Sequence, residues 1–167
     1  MQPRILVGCP TSFHKEYALE PYAESIKKLT YKNHDVLLVD NSRDNAYLER
    51  IKKLGLAAAK GPYFESARNR IVASRNILRQ KVIDDNYDYF FSLEQDILPP
   101  ADILEKLTRH NKKIVSAVYF ANNMIPGETL SKLIPLVYVL ENEKTLAMRP
   151  LNEEELWKNQ GLMKVVS

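Results

Sequence analysis

Two acidic residues separated by a single position are the side chains in this sequence best suited to chemistry. Glu94 and Asp96 flank Gln95, and they directly follow residues 87–93 (YDYFFSL), an aromatic-rich run that predicts a strand. Mg²⁺ and Mn²⁺ prefer oxygen ligands and commonly bridge phosphate oxygens. A carboxylate pair at a strand end can therefore neutralise phosphates through such a cation, bound by Asp96 and Glu94.

Polar residues also follow two other predicted strands, residues 4–9 and 35–39. Thr11 follows the first strand, next to Pro10, and Asp40, Asn41 and Ser42 follow the second. In an open parallel sheet, ligands bind beyond the carboxyl ends of the strands, near the point where the strand order reverses. We therefore expect residues from all three strand ends to gather at one edge of a sheet.

Two common phosphate-binding signatures are missing from the sequence. No G-x-G-x-x-G follows the first predicted strand, which argues against a dinucleotide-binding Rossmann site. No G-x-x-x-x-G-K-[ST] occurs either, so a P-loop does not hold the phosphates. This leaves the acidic pair and its cation as the candidate phosphate-binding device.

The elements that position these residues alternate between strand and helix. Apolar runs predict strands at 4–9, 35–39, 56–60, 87–93 and 113–120. Helical spacing predicts helices at 16–29, 45–54, 64–83 and 101–110. The long third helix is expected to face inward through Ala67, Ile71, Ser74, Leu78 and Val82. This alternation predicts an α/β fold, a Rossmann-like, mostly parallel sheet flanked by helices.

After residue 122 the pattern changes. Antiparallel strands are predicted at 134–140 and 144–148, a short helix at 152–157, and a strand beginning near residue 162. An apolar strand at the last residues suggests that the chain is truncated at its C-terminus. Glu153, Glu154 and Glu155 are more typical of a solvated first helical turn than of a catalytic site.

Composition limits the classes of partner and compartment. The chain has 167 residues, with 24 Lys and Arg against 21 Asp and Glu, a formal charge of +3 that does not favour nucleic acid. The single cysteine, Cys9, cannot form a disulfide framework, which favours a reducing, cytoplasmic compartment. No apolar stretch approaches the roughly 20 residues needed to span a membrane. The oligomeric state cannot be read from the sequence.

Taken in order, these segments resemble GT-A glycosyltransferases, especially the large family 2 type. That family carries an acid-x-acid motif, usually Asp-x-Asp, after a hydrophobic strand, and here the matching stretch is residues 90–100 (FFSLEQDILPP). The helix start PPAD, the run KIVSAVYF at 113–120 and the segment SARNR at 66–70 also resemble the family. The departure is Glu94, where the family usually has Asp, so Asp96 is the better candidate metal ligand.

The resemblance implies a metal-assisted transfer of a sugar from a nucleoside diphosphate donor, of UDP or GDP type, to a hydroxyl acceptor. It implies one domain over residues 1–167, with a nucleotide-binding part (1–121) and the start of an acceptor-side part (122–167). Asp40 would lie towards the base or ribose, and inversion is the expected stereochemistry. The implied nucleotide-sugar-binding residues are Pro10, Thr11, Asp40, Asn41, Ser42, Arg68, Asn69 and Gln95. The family places its catalytic base after the strand beginning here near Lys164, so the base is expected beyond Ser167.

Two other interpretations stay open. A nucleotidyltransferase also combines an α/β sheet, a metal and a nucleotide, although it usually has a Gly-rich basic loop after the first strand, unlike residues 8–13 (GCPTSF). A non-catalytic binding or interaction module is favoured by Glu94 and by the early end of the chain.

Overall fold

The computed structural model describes residues 2–124, 131–135, 137–142, 145 and 147–158. The chain divides into two compact units, Met1–Lys106 and Leu107–Ser167. The first unit contains the sheet that carries the predicted site. Within the described ranges, no helix combines the length and the apolar character needed to cross a membrane.

Four parallel strands form the sheet of the first unit: β1 (Ile5–Thr11), β2 (His34–Asp40), β3 (Ala58–Lys60) and β4 (Tyr89–Ser92). Their order across the sheet is β3-β2-β1-β4. Helices flank the sheet, so the predicted α/β fold with a parallel sheet is confirmed. The strand order reverses at β1. Open parallel sheets bind ligands in a crevice at such a reversal, which here lies between the carboxyl ends of β1 and β4. We refer to the carboxyl ends of β1, β2 and β4 as the rim.

The central strand, β1, is buried along its whole length. A strand covered on both faces needs a continuous apolar run, which is the pattern that predicted it. The strand continues to Thr11, because its pairing with β2 extends to Asp40. A Cβ atom at Gly8 would lie 2.4 Å from the main-chain oxygen of Leu37, so the close pairing of β1 with β2 requires glycine at this position.

The helices follow the strands as predicted, with shifted boundaries. A 3₁₀ helix (Phe13–Ala18) and α1 (Leu19–Lys27) follow β1, α2 (Ala46–Lys53) follows β2, α3 (Ala67–Asp84) follows β3, and α4 (Ile103–Arg109) follows β4. The α-helical part of the predicted helix 16–29 begins only at Leu19, which places Pro21 in the first turn, where its missing N–H costs no hydrogen bond. The predicted stripe of this helix is buried: Leu19, Tyr22, Ala23, Ile26 and Leu29.

Only part of the predicted inward face of α3 is buried. Ser74 and Leu78 are buried, but Ala67 is exposed and Ile71 is 44% exposed, so the prediction is wrong for these two residues. Ser74 lies against Gly61, the residue that follows β3, since a Cβ atom there would approach its Oγ to 3.0 Å. The turns of α3 before Ser74 therefore extend past the rim instead of covering the sheet.

The second unit contains two antiparallel pairs, β5 (Phe120–Met124) with β6 (Ser131–Pro135) and β7 (Tyr138–Asn142) with β8 (Ala147–Pro150), followed by α5 (Glu153–Lys158). The hairpin and the short helix were predicted. The single strand predicted at 134–140 is wrong, because it divides between β6 and β7. The predicted strand at 162–167 lies outside the described residues.

The strand predicted at 113–120 is also wrong over nearly all of its length. Residues 113–119 have no regular secondary structure, and the strand begins only at Phe120. In this stretch Ile114 is 81% exposed and Val118 is 42% exposed. A stretch with strand-forming side chains becomes a strand only where a neighbouring strand pairs with it, and no strand among the described residues pairs with 113–119.

Candidate active site

The buried side chain of Gln95 connects the loop after β4 to the rest of the rim. Gln95 is 1% exposed. Its Oε1 accepts hydrogen bonds from the hydroxyls of Thr11 and Tyr47, the latter at 3.0 Å. Its Nε2 donates to the Tyr47 hydroxyl at 2.7 Å and to the main-chain oxygen of Lys15 at 3.0 Å. A carboxamide has two donor hydrogens and accepts through two lone pairs, so its hydrogen-bonding capacity is filled.

The burial of Gln95 turns its two acidic neighbours towards solvent. The Asp96 side chain is 34% exposed and forms an ion pair with Lys15, from the 3₁₀ helix after β1. The Glu94 side chain is 42% exposed and its Oε1 lies 3.1 Å from a guanidinium nitrogen of Arg75 on α3. The two carboxylates are therefore held by cations from two different elements.

Electrostatics keeps Asp96 charged at neutral pH. Partial burial acts to raise the pKa of Asp96, but the hydrogen bond from Lys15, supported by the Tyr17 hydroxyl, holds that pKa below its ordinary value. The same hydrogen bond to Asp96 raises the pKa of Lys15, against a smaller opposing effect of burial. The pair is thus an ammonium and a carboxylate across the physiological range of pH.

The acidic pair fits a cation that keeps part of its hydration and takes ligands from a substrate. Among the described residues, no three His, Cys, Asp or Glu side chains are grouped closely enough to hold a metal ion by themselves. Mg²⁺ is usually held by one or two carboxylates together with substrate phosphates and water, and seldom by a cage made only of protein. Asp96, a partly exposed carboxylate at the rim, with Glu94 two residues away, matches that kind of ligand set.

The Asp40 carboxylate is fully buried, and both of its oxygens have partners within the protein. Oδ1 accepts from the main-chain N–H of Ser42 at 2.9 Å, and Oδ2 accepts from Lys60 Nζ at 2.9 Å. Lys60 also donates to the main-chain oxygens of Ser42, at 2.6 Å, and Asp44. In this arrangement Asp40 shapes the loop after β2, and a ligand would reach its carboxylate only by displacing Lys60.

The neighbours of Asp40 join this loop to other parts of the rim. The Asn41 main-chain N–H donates to the main-chain oxygen of Thr11 at 2.9 Å, and its Nδ2 donates to Ser74 Oγ at 3.2 Å. Ser42 Oγ accepts from the main-chain N–H of Phe13 at 2.9 Å. Asn41 and Ser42 are both buried, so their side chains stabilise the rim from within.

The remaining predicted site residues lie at different depths. Pro10 is buried within β1. Arg68 and Asn69 are exposed in the first turn of α3, whose N-cap, Ser66, accepts a hydrogen bond from the Asn69 main-chain N–H. At a rise of 1.5 Å per residue, Arg68 lies about 9 Å from Ser74 along the helix, towards its N-terminus. These two side chains therefore stand out past the rim, apart from the hydrogen-bonded groups around Gln95 and Asp40.

Sequence reasoning missed three side chains that organise the rim: Lys15, Tyr47 and Lys60. For Lys15 a signal exists, since it is the only lysine or arginine between β1 and α1 and lies four residues beyond Thr11. Tyr47 and Lys60 carry no comparable signal. Tyr47 has the spacing of an ordinary core residue on α2, and a lysine such as Lys60 is ordinarily a surface residue.

Comparisons with known proteins add little to this geometry. No protein-family model and no curated protein matches the chain. One solved structure with some likeness is that of TarS from S. aureus, a glycosyltransferase, with a TM-score of 0.48 and 14% sequence identity. The alignment covers 84% of this chain and 26% of TarS, so this chain spans about a quarter of the length of that protein. At that TM-score the likeness establishes neither a common fold nor a common activity.

Proposed function

We propose that this chain takes part in glycosyl transfer, moving a sugar from a nucleoside diphosphate of UDP or GDP type to an acceptor hydroxyl with the help of Mg²⁺ or Mn²⁺. The observation that carries the proposal is the meeting of Thr11, Gln95 and Asp96 at the reversal of strand order between β1 and β4. This is where an open parallel sheet binds ligands. The acid-x-acid pattern and its flanking segments supply the chemical class.

Asp96, assisted by Glu94, would hold the cation, and the cation would stabilise the charge that builds on the leaving diphosphate. Thr11 and Gln95 would form the floor of the pocket, since both are buried and hydrogen-bonded to each other. Arg68 and Asn69, which extend past the rim, would approach the donor from the α3 side. Asp40 would act through the conformation of its loop, because its carboxylate is enclosed.

The proposal can be tested by thermal unfolding with UDP, GDP and nucleoside triphosphates, each with and without Mn²⁺. A ligand present at about 100 times its dissociation constant adds about 2.7 kcal/mol to the free energy of unfolding. Asp96→Asn should abolish the metal-dependent part of the stabilisation. The matched control is Asp84→Asn, which removes an exposed carboxylate at the far end of α3 and should leave it unchanged.

The outcomes separate the candidate functions. Stabilisation by a nucleoside diphosphate that needs Mn²⁺ and Asp96 supports glycosyl transfer. A clear preference for a nucleoside triphosphate would favour a nucleotidyltransferase. If no nucleotide shifts the unfolding temperature at millimolar concentration, the donor-binding role is wrong and a binding module without nucleotide is the better description.

A further inference from the structure

The ion pair between Lys15 and Asp96 occupies one oxygen of the carboxylate that the proposed metal would use. Lys15 Nζ contacts Asp96 Oδ2, and the two side chains are 38% and 34% exposed. The main chain of Lys15 is fixed at two points: its N–H donates to the main-chain oxygen of Ser12 at 2.9 Å, and its own main-chain oxygen accepts from Gln95 Nε2 at 3.0 Å. The ammonium can therefore leave the carboxylate while the backbone beneath it stays in place.

We propose that Lys15 competes with the divalent cation for Asp96, occupying the carboxylate in the ligand-free protein and leaving it when the cation binds. This inference rests on the proposed function, since it concerns the same metal site. An ammonium ion and a divalent cation bound to the same carboxylate repel each other strongly, so binding of the cation favours opening of the ion pair.

The competition has a consequence for the order of binding. A cation that arrives alone displaces Lys15 into solvent and loses the free energy of the ion pair. A cation that arrives with phosphate groups brings an anion that the displaced ammonium can contact, because its backbone remains anchored beside Gln95. The site therefore favours a metal–phosphate complex over the free metal.

The test is titration with Mn²⁺ alone, with the free ion followed by electron paramagnetic resonance, on the full chain and its variants. Lys15→Gln should bind Mn²⁺ about three- to five-fold more tightly than the natural chain, which corresponds to loss of an exposed ion pair. Lys15→Arg keeps the competing charge and should stay within about two-fold of the natural chain. Asp96→Asn should lose the site.

A general change of charge must be separated from direct competition, and Arg50→Gln provides that control. Arg50 pairs with Glu16, the residue next to Lys15, so the variant removes one positive charge from the same neighbourhood without touching Asp96. At physiological salt its effect on Mn²⁺ affinity should stay below about 1.5-fold. Circular dichroism checks that Lys15→Gln is folded, and Lys15→Met, which also removes the ammonium, replaces it if it is not.

Two results would overturn the inference, and they are distinguishable. If Asp96→Asn loses Mn²⁺ but Lys15→Gln binds it no more tightly than the natural chain or Arg50→Gln, the metal site exists and the competition does not. If Asp96→Asn binds Mn²⁺ as well as the natural chain, the proposed metal site itself is wrong, and the inference fails with it.

Discussion

Replacement of Gln95 by Glu tests whether this side chain fixes the rim. The change keeps the size and the acceptor oxygens but removes both N–H donors, which now bind the Tyr47 hydroxyl and the Lys15 main-chain oxygen. It also puts a carboxyl group at a site that is 1% exposed, between two other acids. Two lost hydrogen bonds and an unpaired buried charge predict a loss of about 3–5 kcal/mol in the free energy of unfolding at about pH 8.

The loss should depend on pH in a defined direction. Burial and the neighbouring acids raise the pKa of the introduced carboxyl in the folded state above its unfolded value of about 4.3. A group with a raised folded pKa contributes stability that is fully present below the unfolded pKa and is lost as pH rises through the folded pKa. At about pH 5 the carboxyl is largely protonated and keeps one donor, so the loss should shrink to about 1–2 kcal/mol.

Urea unfolding of the natural chain and Gln95→Glu at about pH 5 and pH 8 measures both quantities. Gln2→Glu makes the same chemical change at an exposed position before β1 and should cost less than about 0.5 kcal/mol at either pH. A loss for Gln95→Glu below about 1 kcal/mol at pH 8, or one that does not decrease at pH 5, would refute the reasoning about the buried carboxamide.

Three further predictions concern the interior of the first unit. Lys60→Met leaves the buried Asp40 carboxylate without its cation and should cost about 3–5 kcal/mol in urea unfolding, whereas a cost below about 1 kcal/mol would show that the pair does not stabilise the loop. Gly8→Ala places a Cβ atom against the main-chain oxygen of Leu37 and should cost about 1–3 kcal/mol; an unchanged unfolding midpoint would contradict this clash. Burial raises the pKa of Cys9 to about 12, so iodoacetamide at about pH 8 should label it only as fast as the chain unfolds, and rapid labelling of the folded protein would contradict its burial.

The parts of the fold that were predictable are those whose pattern depends on local sequence alone. β1 and α1 have apolar residues at the spacing of their own element, and both patterns match the observed burial. The exposed face of α3 was not predictable in the same way. Ile71 has the spacing of a core residue, but whether it is covered depends on how far α3 extends beyond the strand it follows, which is a property of the tertiary structure.

The stretch 113–119 shows the same limit for strands. Its content of Ile, Val and Tyr is typical of a strand, and yet these residues have no regular secondary structure. Strand propensity describes how well side chains fit a pleated surface, so it decides nothing until a pairing partner is present. No local pattern in the sequence tells which run will find such a partner.

For the candidate site, the sequence predicted where the polar residues lie in the fold better than it predicted what surrounds each side chain. Placing polar residues after parallel strands was enough to predict that Thr11, Asp40 and Asp96 belong to one edge of one sheet, because strand direction alone fixes that edge. It was not enough to predict that Asp40 is enclosed by Lys60, twenty residues away, while Asp96 remains partly exposed. The difference arises from which distant cation reaches each carboxylate.

The length of the Glu94 side chain gives a physical reason why its carboxylate meets a different cation from that of Asp96. With Gln95 buried, residues 94 and 96 both turn outward, but Asp96 meets Lys15 from the β1 side and Glu94 meets Arg75 from α3. The extra methylene of Glu carries the carboxylate further from the loop and towards the α3 helix. In the proposed reaction Asp96 would then be the principal ligand of the cation, while Glu94 and its ion pair with Arg75 would fix the α3 side of the pocket. A Glu at position 94 is thus compatible with a metal site whose principal ligand is Asp96.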